Sequence, residues 1–479
     1  MPSAGFLIYS GVMPLIKMFM AILCGFVMAR RGLFPKAAAR GASEIAMNIS
    51  LPALMFANIV PAFTPQNISA LGPLFLLAFV YQFIGFFFGM LIREICYVPR
   101  NFWQGIVIVT GMSNWGNLPN AVVLTVTQQP PFDPLTDPAL GVSYVAIFIV
   151  SYNLVFWVFG AARSLSWDYL PGVPQGQDAE LRNLTWKEKP LGSLVSRYII
   201  RKPSKTIIGL ALTSIGKSEA TENNEKSPSS LVEHPAASSR TPSIHGSVTS
   251  RHASITTIPV PSPPAAPVLE QDPATSVHRG QILSVPPVIS RALQPVLAAM
   301  HPVTIALLVS LPIALLNPLK ALFVDIADIG GPTYRGPDGR PPLAFIIDTA
   351  ELLGNIAVPL ALILLGASFA RLQIPRPISR LPLPAMISVA VAKMVVLPVI
   401  GVIIVQGMVR SGMIPHEARV EKFVGMLLSG TPAAVNQLIV ASLYAPDGNV
   451  DMYSAFFLVQ YVIMFLSASV LTAVSLLLS

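Results

Sequence analysis

Charge is scarce in this chain: Asp, Glu, Lys and Arg make up 11% of 479 residues, while hydrophobic types make up 53%. A water-soluble globular domain is about a quarter charged. A soluble fold is therefore excluded, and a mean hydropathy of +0.64 places the chain in a bilayer. Cysteine is scarcer still. Cys24 and Cys96 lie in or beside apolar segments without metal-ligand spacing, which excludes a disulfide framework and a cysteine metal centre. No basic region precedes the first apolar run, which contains Pro14 and Lys17. It reads as a retained helix rather than a cleaved signal peptide. Catalytic signatures are missing as well. Neither His-Glu-x-x-His nor Gly-x-Ser-x-Gly occurs, and Asp325, Asp328 and Asp348 fall in or beside a loop. An intramembrane enzyme is disfavoured, and no cofactor or metal is expected. The net charge of +8 belongs to helix orientation rather than to nucleic-acid binding.

What is there is apolar length. About 20 apolar residues span the hydrocarbon core as a helix. By that measure ten segments qualify: 7–29, 42–60, 71–92, 103–127, 139–162, 296–323, 344–370, 382–409, 423–444 and 452–478. Five precede a polar insert and five follow it. The predicted organisation is a first five-helix repeat over 1–162, a cytosolic, largely disordered loop over 163–290, and a second repeat over 291–479. Ser214 to Pro287 is rich in Ser, Pro, Thr and charge and buries too little apolar surface to offset ordering entropy. Trp186 to Leu212 mixes apolar and basic residues, as an amphipathic surface helix or a juxtamembrane linker would.

The halves repeat. Ser43-Glu-Ile-Ala-Met-Asn-Ile-Ser-Leu-Pro52 aligns with Ala350-Glu-Leu-Leu-Gly-Asn-Ile-Ala-Val-Pro359. Tyr144 and Tyr152 align with Tyr453 and Tyr461, Pro119 with Pro432, and Gln82 falls near Lys393. An odd number of spans per repeat forces the second copy to run in the opposite sense, the inverted plan of secondary transporters. The fold expected is thus an all-α membrane protein with ten transmembrane helices in two inverted five-helix repeats. Lys and Arg collect on one side, at Arg30, Arg31, Lys36, Arg40, Arg93, Arg100, Arg371, Arg376 and Arg380. Loops rich in Lys and Arg stay cytoplasmic, so the insert is cytosolic and both termini are lumenal or extracellular.

Two stretches depart from the apolar pattern inside spans. Gly111-Met-Ser-Asn-Trp-Gly-Asn-Leu-Pro-Asn120 interrupts the fourth, and Ser429-Gly-Thr-Pro-Ala-Ala-Val-Asn-Gln437 interrupts the ninth. Broken helices at membrane depth survive only where protein or a wet cavity satisfies the freed backbone groups. Matched polar breaks in two halves point to a binding site. Asn114, Asn117, Pro119, Asn120, Thr431, Pro432, Asn436 and Gln437 are the candidate substrate-binding residues. Half-helix N-termini present unpaired N–H groups, which suit a carboxylate, and side-chain amides recognise an anion without fixing charge. The competing reading is that these amides only repair the backbone and join helices. Asn48 and Asn355, beside Pro52 and Pro359, are candidates to line the same cavity. Lys393 lies mid-span, where an ionisable group costs about 3 kcal/mol and needs a partner. It is assigned either to a coupling-cation or proton-linked role or to a tether on a facing carbonyl.

Asn114-Trp-Gly-Asn-Leu-Pro-Asn120, Gly354-Asn-Ile-Ala-Val-Pro359, Leu364-Leu-Gly-Ala367 and Gly430-Thr-Pro432 resemble the auxin efflux carrier family, and in particular its PIN-like branch. The Ser/Pro-rich insert is similar to those of fungal members. The resemblance implies an elevator-type carrier whose broken fourth and ninth helices cross and bind a substrate carboxylate, with Pro119, Asn120 and Pro432 at the crossing. It also implies residence in the endoplasmic reticulum, with the plasma membrane as the alternative. The implied partners are a small organic anion, the lipid bilayer, a second copy in a homodimer, and kinases acting on the 163–290 loop. Ser227, Thr241, Ser254 and Ser262 match kinase patterns there. Two rivals stand beside the carrier: an ion-coupled symporter or antiporter of the same fold, and a non-transporting receptor or scaffold acting through its loop. No acidic residue lies in 111–123 or 429–437, which weighs against ion coupling.

Overall fold

A computed structural model describes residues 4–62, 68–175, 186–198, 301–373, 381–445 and 448–479. Most of the insert, including 214–287 and the four phosphorylation candidates, lies outside the described residues, as do Arg376 and Arg380.

The described residues are helical, and no strand occurs among them. Seven helices are long and apolar enough to cross a membrane: Val12–Arg30, Lys36–Ala62, Ser69–Ile95, Asp137–Val158, Ala344–Arg371, Leu383–Arg410 and Asp451–Leu478. Three of the ten predicted segments are not continuous helices of that length. The sixth is represented by Pro302–Leu315. The fourth is split into Trp103–Gly111 and Asn117–Thr127, and the ninth into Arg419–Leu427 and Asn436–Tyr444.

In chain order the elements are α1 (Ala4–Arg30), α2 (Lys36–Ile45), α3 (Leu51–Ala62), α4 (Ile68–Ile95), α5 (Trp103–Gly111), α6 (Asn117–Thr127) and α7 (Asp137–Asn153). Then follow α8 (Ala161–Ser164), α9 (Pro190–Tyr198), α10 (Pro302–Leu315), α11 (Asn317–Lys320), α12 (Ala344–Gly354) and α13 (Ala357–Arg371). The chain closes with α14 (Leu383–Val391), α15 (Leu397–Arg410), α16 (Arg419–Leu427), α17 (Asn436–Tyr444) and α18 (Asp451–Leu478). Wide π-turns join α2 to α3 at Ala46–Ser50 and α14 to α15 at Ala392–Val396. Each precedes a proline, Pro52 or Pro398, whose ring cannot sit against an undistorted preceding turn.

The helices form two groups. In one, α1 packs along α13, and α3 packs on α10 and α12. Lipid gives little hydrophobic drive for helix association, so close approach through small residues does the work. Gly366 shows this: a Cβ there would meet the backbone of Ile22 on α1. In the other group α4 packs on α5 and α7, α6 on α7, and α18 on α14 and α16. A Cβ at Gly85 of α4 would lie 2.8 Å from the Thr110 carbonyl oxygen, so α4 runs directly against the end of α5.

Two polar contacts fix the charged end of the second group. Asp168 is buried and caps the start of α5, accepting from the Gly105 N–H at 2.7 Å and the Gln104 N–H at 3.0 Å. Burial pushes its carboxyl up to about 6, against the lowering effect of those two N–H groups and of Arg100. Lys189, just before α9, donates to the Arg93, Glu94 and Cys96 carbonyls at 2.9, 2.9 and 2.5 Å. Helix C-termini leave unpaired carbonyls and carry partial negative charge, so a buried ammonium there is well matched. Lys189→Met should lower stability by about 1–3 kcal/mol, read as an earlier thermal midpoint of the purified full chain.

Candidate functional site

Local sequence explains both interruptions. Gly111 ends α5, and the chain runs extended through Met112 to Trp115 before α6 begins at Asn117, with Pro119 in its first turn. In the second half α16 tightens at Leu428–Gly430, runs extended from Thr431, and resumes as α17 at Asn436. Proline in a first turn loses nothing, because the N–H it lacks would have no helical partner.

The two extended links cross and pair. Ser113 and Ala433 form an antiparallel bridge, and the Asn114 N–H donates to the Pro432 carbonyl at 2.7 Å. Side chains complete the knot. Gln437 Nε2 donates to the Met112 carbonyl at 2.9 Å, and Trp115 Nε1 to the Leu428 carbonyl at 2.8 Å. From α18, Gln460 Oε1 accepts the Ala433 N–H at 3.0 Å, while the Tyr461 hydroxyl reaches the Ala433 carbonyl at 3.4 Å. Backbone freed by the breaks is therefore satisfied by protein, as an apolar surround demands.

Lys393 stands behind this crossing, 1% exposed. Its Nζ lies 2.9 Å from the Thr110 carbonyl oxygen, 2.8 Å from Ser113 Oγ and 3.5 Å from the Met112 carbonyl oxygen. The Asn114 N–H, which a continuous helix would direct at Thr110, is spent on Pro432. The Lys393 side chain takes its place. Thus the tether on a facing carbonyl is present, at the C-terminal end of a half-helix.

In front of the crossing is a cavity of about 350 Å³. Asn58 of α3, Asn114, Asn120, Asn153, Asn355 and Asn436 line it, with Tyr152, Trp115 and aliphatic side chains from α3, α7 and α13. No charged side chain is among the described lining residues. Three polar atoms are buried without a partner: Asn120 Oδ1, Asn153 Oδ1 and the Tyr152 hydroxyl. An orphaned buried polar group costs about 1–3 kcal/mol, so this wall has unused hydrogen-bonding capacity. The cavity lies where the two helix groups meet, and α6 and α17 both begin beside it.

The predicted residues divide. Asn114, Asn120, Asn355 and Asn436 line the cavity together. Pro119, Thr431, Pro432 and Gln437 are buried outside its lining. The side chain of Asn117 lies outside the described residues, and its backbone opens α6. Asn48 needs correction, because it does not line the cavity. Ala46, Met47, Ser50 and Leu51 are the buried face of that turn, and helical phase leaves Asn48 exposed on the other side. Asn58, Tyr152 and Asn153 are site residues that the sequence reading does not single out. The signal for them is an amide near the end of the second span, one turn from Pro61, and another following Tyr152.

Seven bilayer-length apolar helices, with two interrupted helices paired around a polar cavity, define a multi-pass integral membrane protein. The chain belongs to the membrane transport protein family, the auxin efflux carrier family, whose profile matches residues 10–472. It is 23% identical to the uncharacterized transporter YLR152C of Saccharomyces cerevisiae, over 98% of this chain and 97% of that protein. It is 26% identical to Protein PIN-LIKES 2 of Arabidopsis thaliana, over 91% of this chain and 87% of that protein. A shorter match, 28% identical over 37% of this chain and 28% of the relative, is to Protein ECM3 of Saccharomyces cerevisiae.

Proposed function

We propose that this chain is a secondary carrier that moves a small organic anion of the auxin-like carboxylate class by alternating access. The observation that carries this reading is the cavity itself. Two half-helix starts, at Asn117 and Asn436, converge on a wall of asparagines with no charged lining side chain among the described residues, and the Tyr152 hydroxyl there is a buried donor without a partner. The positive dipole ends of two half-helices favour a carboxylate. Amide and phenol donors complete its hydrogen bonds. The volume lies at the lower end of the range for small-molecule sites and has an aliphatic side for the substrate's apolar body.

Ten crossings in two inverted five-helix repeats organise the fold in this reading. The group α4–α7 with α14–α18 slides as an elevator against α1–α3 with α10–α13, carrying the crossing with it. Residues 163–290 form a cytosolic loop, both termini are lumenal or extracellular, and the endoplasmic reticulum is the membrane of residence. Lys393 serves as a built-in cation at the end of α5, where coupled carriers of other folds place sodium, so no coupling metal ion is needed there. The protein is a carrier rather than an enzyme.

Uptake of labelled aromatic and aliphatic carboxylates into vesicles holding the purified chain, with and without pH and sodium gradients, tests this reading. Saturable uptake of a carboxylate, unaffected by sodium, is expected. Flux that needs a sodium gradient would favour the ion-coupled form instead. Deleting 214–287 should leave uptake within about twofold of the full chain, because those residues are far in sequence from the crossing. Abolished uptake after that deletion would favour the receptor or scaffold reading.

A further inference from the structure

A second cavity, of about 360 Å³, lies at the end of the bundle that carries the excess of Lys and Arg. Its polar lining includes Lys36 and Arg40 of α2, Arg371 at the end of α13, and Asp451 at the start of α18. Ser43, Ser368 and Ser442 add hydroxyl oxygens, and Ala39, Leu364 and Leu438 add apolar surface. Among the described lining residues, three cations therefore face one acid. The first turn of α2 also opens on this cavity through Lys36, Ala37 and Ala39, and no side chain caps it.

Two of the cations are held in distinct ways. Arg371 is anchored, because its guanidinium donates to the Phe34 carbonyl and lies 5.7 Å from the Phe34 ring centre. Arg40 is half exposed and has only a loose contact with Glu44, at 3.8 Å. A guanidinium holds phosphate with paired donors, and an exposed ammonium adds charge without fixed geometry. A single carboxylate would not balance three cations, whereas a phosphate monoester carries about −1.5 to −2 at neutral pH. All four charged residues sit at ends of membrane-spanning helices, the depth of lipid headgroups. Basic pockets between transmembrane helices at that depth are suited to anionic headgroups.

We propose that this cleft binds a phosphate monoester, supplied by the headgroup of an anionic lipid. The site belongs to neither the asparagine cavity nor the crossing. It lies on the same seam between helix groups, where Ser43 of α2 and Ser442 of α17 approach to 3.4 Å. A bound headgroup bridges α2 and α13 on one side to α17 and α18 on the other, so occupancy braces the seam at this end.

The test uses the purified full chain in nanodiscs of phosphatidylcholine, with or without phosphatidic acid, and reads thermal midpoint and lipid binding. Phosphatidic acid should raise the midpoint. The double variant Lys36→Gln/Arg40→Gln should weaken phosphatidic acid binding about 25-fold, from roughly 1 kcal/mol for each cation near the surface. Both residues are exposed, so folding should survive, and Arg371 is left in place because it also holds the Phe34 carbonyl. The control Arg30→Gln/Arg31→Gln removes two cations from the same end but outside the cleft, and should change binding less than about twofold. Displacement of phosphatidic acid by glycerol 3-phosphate, with the same dependence on Lys36 and Arg40, supports the phosphate site and assigns it to a soluble ligand. Equal losses in the double variant and the control would mean general surface attraction and overturn the site. So would a wild-type chain whose midpoint responds to neither phosphatidic acid nor glycerol 3-phosphate.

Discussion

Replacing Asn120 by Ala should leave a folded chain that has lost one to two orders of magnitude of transport efficiency. Asn120 occupies the fourth position of α6, and its backbone N–H reaches the Gly116 carbonyl at 3.2 Å, a bond that any residue except proline keeps. Its side-chain oxygen is buried and has no partner. Alanine therefore removes no described hydrogen bond of that oxygen, and it is the better helix former by several tenths of a kcal/mol. The thermal midpoint should stay level or rise slightly. Flux should behave differently. A hydrogen bond from the Asn120 amide Nδ2 to a carboxylate ligand is worth about 1.5–3 kcal/mol, which corresponds to roughly 10- to 150-fold in uptake rate at low substrate. Stability and transport moving in opposite directions mark a binding residue. If Asn120 were helix glue instead, stability would fall and flux would follow it. Vesicle uptake and thermal unfolding of the same preparation separate the two cases, and unchanged uptake would remove Asn120 from the site.

The parts of this site that sequence discloses are those in which chemistry is concentrated along the chain. Gly111 to Asn120 packs two internal glycines, three asparagines and a proline into one span, and both that break and the one at Pro432 lie where this composition implies. Composition does not disclose which atoms meet across the crossing. The pairing of Gln437 Nε2 with the Met112 carbonyl spans 325 positions and depends on how two links cross. Asn48 and Asn355 share a motif yet differ in place, because α12 ends at Gly354 and turns through Asn355, whereas the first half passes Asn48 in a continuous π-turn. Single amides such as Asn58 and Asn153 look like ordinary helix glue until another helix brings them to a shared wall. Hydropathy also sets the start of the second span at 42, whereas α2 begins at Lys36, since the cations of its first turns lower the local average. Those cations line the second cavity.

Lys393→Met should cost both stability and flux. Methionine nearly reproduces the length of the lysine stem, so packing changes little. What disappears is the donor between the π-turn that joins α14 to α15 and the end of α5. Thr110 then keeps a carbonyl whose helical partner, the Asn114 N–H, is committed to Pro432, and Ser113 Oγ loses its contact at 2.8 Å. Two buried acceptors without donors cost about 1–3 kcal/mol each. Relief from burying an ammonium returns part of that, so a net loss of about 2–4 kcal/mol is expected in the unfolding free energy. Lys393→Gln separates hydrogen bonding from charge, because the amide still donates but carries no positive charge. If only the bonds matter, Gln restores both stability and uptake. If the fixed charge at the end of α5 also matters, Gln restores much of the stability and little of the uptake. The second half favours the latter outcome, because it holds its own half-helix without charge. There the Tyr81 hydroxyl donates to the Gly425 carbonyl at 3.0 Å, and Gln82, which falls near Lys393 when the halves are aligned, is buried with neither amide atom partnered. A neutral donor is thus sufficient to hold one half-helix. Uptake of Lys393→Met equal to the unsubstituted chain at every pH would end that assignment.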